Sequence, residues 1–144
     1  MSGYITFEEL NIGEDLTPVI KKMTQEKINR YVSIAEDYNP IHTDEEFAKK
    51  TPFKGIIAPG YQTMAYISEL MSRDFGNAWY TSGKMDIRMV KVVRPGDLLT
   101  ARAKVVDKKE EEGKNIAVFE VRLTNQNNED VIIGNAEAAF PKNN

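Results

Sequence analysis

The chain has 144 residues, 41% of them hydrophobic, and carries 19 basic and 22 acidic side chains for a net charge of -3. That length suits one globular domain over residues 1 to 144, with roughly 70% of the unfolded surface buried, and the evenly mixed charge leaves no basic face for nucleic acid or anionic lipid. Cysteine is absent, which excludes disulfides, thiolate catalysis and cysteine-based zinc sites; no leader pattern or membrane-length apolar run is present, so a soluble, cytoplasmic protein is expected.

Residues 1 to 15 carry scattered apolar anchors, Tyr4, Ile5, Phe7 and Leu10, and a turn around Asn11-Ile12-Gly13. Val19 and Ile20, beside paired lysines, predict a short strand within Thr17 to Met23. Thr24 is a suitable N-cap for a helix whose apolar positions Ile28, Tyr31, Val32 and Ala35 follow the i, i+3, i+4, i+7 spacing. That helix must stop before Pro40, because the residue ahead of a proline is pushed out of the helical region. Asp37 therefore stands at its C-terminal end and His42, the one histidine of the chain, just beyond it.

Thr43 followed by Glu46 is a capping-box pattern and predicts a second, short helix with Phe47 and Ala48, broken at Thr51-Pro52. Pro59-Gly60 opens a longer helix running to about Phe75 and closed by Gly76. Its residues Met64, Ala65, Tyr66, Ile67, Leu70, Met71 and Phe75 cover more than half the circumference, with Gln62, Glu69, Ser72 and Arg73 on the remainder. The period then changes from 3.6 to 2. Leu99 to Val106, Ala117 to Thr124 and Val131 to Phe140 read as half-buried strands, with turns at Glu110 to Gly113 and Asn125 to Glu129. With Lys84 to Val93 ahead of Arg94-Pro95-Gly96-Asp97, a four-strand antiparallel meander is expected after the long helix. The fold class is α+β, a curved antiparallel sheet wrapped around one long central helix.

A carboxylate and an imidazole beside a helix start can run proton-transfer chemistry on a carbonyl compound. Gly60 adds free N–H groups and the positive end of the helix dipole, with no side chain to hold a ligand away. The plainer reading of Asp37-Tyr38-Asn39-Pro40 is a helix stop. A lone histidine without cysteine or a second histidine is a poor metal centre, so no metal is expected.

Glu36-Asp37-Tyr38-Asn39-Pro40-Ile41-His42 resembles the D-x-N-P-(I/L)-H motif of the MaoC-like dehydratases, the (R)-specific enoyl-CoA hydratase family of hot-dog-fold proteins. Further segments follow in the family's order: Phe53 to Gly60 ahead of the central helix, the turn Arg94-Pro95-Gly96-Asp97, and Leu123-Thr124-Asn125 with Val131 to Gly134 at the last hairpin. Pro59-Gly60 stands where many relatives have His-Gly, Ala35-Glu36-Asp37 where many have Ser-Gly-Asp, and Met89 and Val92 where a Phe and a Pro are usual. The resemblance implies a cofactor-free hydro-lyase that interconverts a trans-2-enoyl thioester, of coenzyme A or acyl carrier protein, with an (R)-3-hydroxyacyl thioester. It implies that Asp37 and His42 hold the catalytic water, that the Gly60 N–H binds the thioester oxygen, and that Asn39 orients the pair. Ser68 aligns with a serine in some relatives' sites, and Tyr38 and Pro59 flank the substrate. Relatives are dimers or larger, so a homodimer is the expected minimum. A thioesterase and a non-catalytic acyl-CoA-binding subunit are the competing functions that the same scaffold allows. Arg88, Lys91 and Arg94 are either phosphate contacts or solvated charges.

Overall fold

The structure, a computed structural model, describes residues 3–142. Strand β1 (Val19–Lys22) leads into helix α1 (Gln25–Ala35), where the Thr24 side chain accepts the Lys27 N–H as the N-cap. A 3-10 turn, Pro40–His42, and the short helix α2 (Glu45–Lys49) follow, then α3 (Gly60–Phe75) and α4 (Asn77–Ser82). Strands β2 (Lys84–Met89), β3 (Leu98–Glu111), β4 (Lys114–Thr124) and β5 (Asp130–Pro141) complete the chain. They form one antiparallel five-stranded sheet in the order β1-β3-β4-β5-β2, and α3 packs on β1, β3 and β4. This is the expected α+β hot-dog architecture, a sheet laid on one central helix.

The core lies between that helix and the sheet. Ile67, Leu70, Met71 and Phe75 of α3 are buried in one apolar cluster with Leu99, Val105, Phe119, Val121, Leu123 and Ile132. Each such side chain contributes about 1.5–3 kcal/mol on burial. Phe75 is the centre of an aromatic trio, 5.0 Å from Phe119 and edge-on to Phe140 at 5.6 Å between ring centroids.

The structure corrects the sequence reading in several places. Strand β2 is not the first strand of a meander: it pairs with β5, from Lys84 opposite Glu137 to Met89 opposite Ile132, while β3 pairs with β1 and β4. Alternation shows which face of a strand is buried and says nothing of its neighbour. The strand also stops at Met89 rather than Val93, because Val90 and Lys91 both turn their N–H groups onto the Val131 carbonyl and the chain then crosses to the other side of the sheet. The β3–β4 turn is tighter than expected. Glu112 and Gly113, at φ 51° and 76°, form a two-residue connection, and positive φ at both positions matches the twist of the flanking strands.

Three helical details differ as well. Helix α2 is capped by Asp44, whose side chain accepts the Phe47 N–H, and Thr43 instead ends the 3-10 turn with its N–H on Pro40 O. On α3 the buried stripe is rotated relative to the apolar count: Ala65 is exposed while Gln62 is buried beneath α1, its Nε2 donating to Lys27 O. Helix α4, absent from the sequence reading, begins as soon as Gly76 closes α3 and lies on β5, where Ser82 Oγ accepts the Ala139 N–H.

Candidate active site

Helix α1 ends in a reversal that sets up the site. Glu36 takes the left-handed conformation, φ 56°, and the next N–H, that of Asp37, returns to Val32 O at 3.1 Å. A non-glycine residue in that region is strained by about 1–2 kcal/mol, so surrounding bonds must hold it. They come from the following segment. Asn39 Oδ1 accepts the Ile41 N–H, Asn39 O accepts the His42 N–H, and Pro40 supplies the fixed φ of a first helical residue. Asn39 thus acts on the pair through the backbone, winding the turn that carries His42.

His42 is 8% exposed and held from two sides. Its carbonyl accepts Gln25 Nε2 from the first turn of α1 at 2.9 Å, and its ring Nδ1 lies 2.7 Å from the carbonyl oxygen of Ile57. A carbonyl only accepts, so Nδ1 carries the proton, and the neutral ring has its lone pair on Nε2. That nitrogen faces Asp37 Oδ2 at 3.5 Å, and the Asp37 side chain is 41% exposed. Two acceptors at that separation have no proton to share directly. One water donating a hydrogen to each satisfies both and keeps its own lone pairs free; an added proton on Nε2 makes an ion pair instead. Either way the pair can hold and move one proton beside an open surface.

Ile57 is tied in turn. Its N–H donates to Ile41 O at 3.3 Å, the Ala58 N–H donates to Val93 O at 2.7 Å, and the Arg94 guanidinium donates to the carbonyls of Ile56 and Phe53. Arg94 therefore spends its donors on backbone. Three residues past Ile57 comes Gly60, the first residue of α3, whose N–H meets no acceptor among the described residues. Pro59, the cap, is buried and its carbonyl accepts the Thr63 N–H. Across from Gly60 lies the thioether of Met89: a β carbon built on the glycine would stand 2.5 Å from Met89 Sδ.

The structure thus brings Asp37, Asn39 and His42 together and holds His42 through the strand-like segment that ends in Pro59-Gly60. Two residues fall elsewhere. Tyr38 points outward, 72% exposed. Ser68 stands about 12 Å along the helix axis from Gly60, where its Oγ accepts the indole N–H of Trp79 at 3.0 Å. No three metal-ligating side chains converge among the described residues. Sequence reasoning missed the Ile57 carbonyl, Gln25, Met89 and the bracing role of Arg94. A backbone carbonyl leaves no trace in residue type, and the other three act on elements distant in the chain.

The comparisons with known proteins show the family and the fold. The family profile described as MaoC like domain matches residues 9–128. A 3-hydroxybutyryl-CoA dehydratase from Methylorubrum extorquens is 34% identical over 70% of this chain and 64% of its own length. A mitochondrial 3-hydroxyacyl-acyl-carrier-protein dehydratase from Arabidopsis thaliana is 27% identical over 92% of this chain and 78% of its own. Among solved structures, the unliganded R-hydratase PhaJ1 from Pseudomonas aeruginosa superposes with a TM-score of 0.82 over 97% of this chain and 88% of that one, at 24% identity, a likeness of fold. With the profile spanning most of its length, the chain belongs to the family of the MaoC like domain.

Proposed function

We propose that the protein is a hydro-lyase catalysing the reversible hydration of a trans-2-enoyl thioester to the (R)-3-hydroxyacyl thioester. The observation that carries the reading is the His42 ring, with Nδ1–H fixed on Ile57 O at 2.7 Å and the bare Nε2 facing Asp37 Oδ2 at 3.5 Å. In the hydration direction a water held by both groups attacks the β carbon. One of its protons passes to His42 Nε2, and the Asp37 carboxylate compensates the imidazolium that forms. The electron pair of the double bond moves toward the thioester, where the Gly60 N–H and the helix dipole stabilise the charge on oxygen. The proton then goes from Nε2 to the α carbon, so one water has added and both residues return to their starting state. Dehydration runs the same steps backwards. This assignment makes His42 the base as well as the acid, because a ring whose Nδ1 proton is committed to a carbonyl has only Nε2 to exchange.

The relatives named as dehydratases of a CoA and of an acyl-carrier-protein substrate support the thioester class. Strand β2 is a sheet edge whose outer side has no partner strand among the described residues, and Met89 and Val90 at its end are exposed. Covering such an edge supports a homodimer joined through it, measurable by light scattering on the purified protein. The functional test is to incubate the protein with crotonyl-CoA and follow both the conjugated enoyl absorbance and free thiol. Absorbance loss without thiol release is expected, and thiol release would mean hydrolysis. Asp37→Asn and His42→Ala are each expected to lower turnover by about 10²–10⁴ in proteins that still fold; near-normal turnover in either removes the proposed roles.

A further inference from the structure

Met89 is the last residue of β2 and meets the face of Gly60 that lacks a side chain, with Sδ 2.5 Å and Cε 2.9 Å from where a β carbon would stand. Behind this contact is a cavity of about 150 Å³, lined by Ile57, Gly60, Thr63, Met89, Val131 and Ile132 among others, and predominantly apolar. Two of its walls belong to the reacting unit itself. Gly60 offers the N–H for the thioester oxygen, and Ile57 holds the imidazole. A larger hollow of about 680 Å³ is lined by Gln25, Asn29, Glu45, Lys54 and Arg94, a setting that desolvates charge for no return if an alkyl chain enters.

We propose that the 150 Å³ cavity receives the acyl tail of the substrate and that Met89 is the residue that limits the tail's length, making the protein selective for short acyl thioesters of about six carbons or fewer. This inference rests on the hydration reading and names the substrate class of that same site. The size limit follows from volume: a dry apolar cavity of about 150 Å³ is filled by a benzene-sized group. The limit is set by Met89 rather than by the other walls because Ala58, Val93, Val131 and Ile132 are buried in the core cluster and the Lys91 ammonium is held by Glu129, whereas the Met89 thioether ends β2 directly across from Gly60. A thioether with three rotatable bonds can swing from the Gly60 face as a short tail enters, and it remains one wall of the cavity.

The test compares the intact protein with Met89→Ala on trans-2-enoyl-CoAs of four, six, eight and ten carbons, with calorimetric binding of butyryl-CoA and octanoyl-CoA in parallel. The expected result is a kcat/KM that drops at least about tenfold between six and ten carbons. In Met89→Ala the ten-carbon to four-carbon ratio should rise by about tenfold or more, in line with the 10- to 200-fold discrimination that one methylene can produce in an apolar pocket. A flat chain-length profile, or an unchanged ratio in Met89→Ala, overturns the proposal. Should no enoyl-CoA be hydrated, the hydration reading fails, and the binding arm still decides: octanoyl-CoA must gain affinity over butyryl-CoA in the variant, and equal Kd ratios in the two proteins reject the cavity as an acyl site. Met89→Trp, which fills the space instead of opening it, is expected to weaken even the four-carbon ligand.

Discussion

Arg94 touches neither Asp37 nor His42, yet its removal should slow the reaction. Its guanidinium donates to the carbonyls of Phe53 and Ile56, one residue short of the carbonyl that holds His42 Nδ1. Each of these bonds contributes about 0.5–1.5 kcal/mol, and because Arg94 is exposed, water reclaims part of that in Arg94→Ala, leaving a stability loss of about 1 kcal/mol. The segment stays attached through Ala58 N–H on Val93 O and Ile57 N–H on Ile41 O, so the fold survives while the Ile57 carbonyl gains freedom. A misplacement of about 1 Å in such a support costs up to about a hundredfold in rate. The expected outcome is therefore a kcat lowered ten- to a hundredfold in Arg94→Ala. Arg94→Lys should fall between, since an ammonium is a point charge and cannot span two carbonyls as the fork does. Two readouts separate positioning from general weakening. The nitrogen-15 shifts of His42 should lose their Nδ1–H signature, and added guanidinium ion should restore part of the rate. A variant with normal kcat and an unaltered imidazole spectrum would show that backbone bonds alone hold the segment.

Three further substitutions test other parts of the structure. Gln62 Oε1 is buried without a partner, and Lys27 O, which accepts its Nε2, lies inside α1; Gln62→Met should therefore stabilise by about 1 kcal/mol, seen as a Tm raised by roughly 2–4 °C. Ser68→Ala strands the indole N–H of Trp79, a residue 9% exposed, and should cost about 1–3 kcal/mol, with Trp79→Phe in the same chain cancelling part of the loss in a double-mutant cycle. The Glu129 carboxyl is held below its ordinary value of 4.5 by the Lys91 ammonium and then by Asn125 and Asn127. Its stabilisation is present above that ordinary value and fades as pH falls through the lowered one; the Tm difference between the parent and Glu129→Gln should shrink as the pH is brought below 4.5.

Much of the fold was legible because it is written in local chemistry. Thr24, Pro59 and Gly76 mark helix ends by rules that involve only their near neighbours, and α1 begins, and α3 begins and ends, where those residues predict. The period-2 strands were legible for the same reason. What failed was information held between elements. The place of β2 beside β5 depends on a crossing of residues 90 to 97, and the burial of Gln62 over Ala65 depends on where α1 lies. Asp44 rather than Thr43 is the cap because its carboxylate accepts the Phe47 N–H, while Thr43 ends the preceding 3-10 turn. At the candidate site the five-residue spacing of Asp37 and His42 was readable as a bent turn, but the proton placement on His42 was not, since it is decided by a main-chain oxygen fifteen positions later.

The solitary imidazole simplifies every experiment on this protein. With one histidine in 144 residues, a single pair of ring resonances reports the whole population without assignment, and diethyl pyrocarbonate has one ring to acylate. With Nδ1 committed to the Ile57 carbonyl, Nε2 is the ring nitrogen left to react, so a ligand seated on the Asp37–His42 pair would shield it from the reagent. Protection against modification then becomes a direct count of occupied sites, obtainable before any turnover is measured.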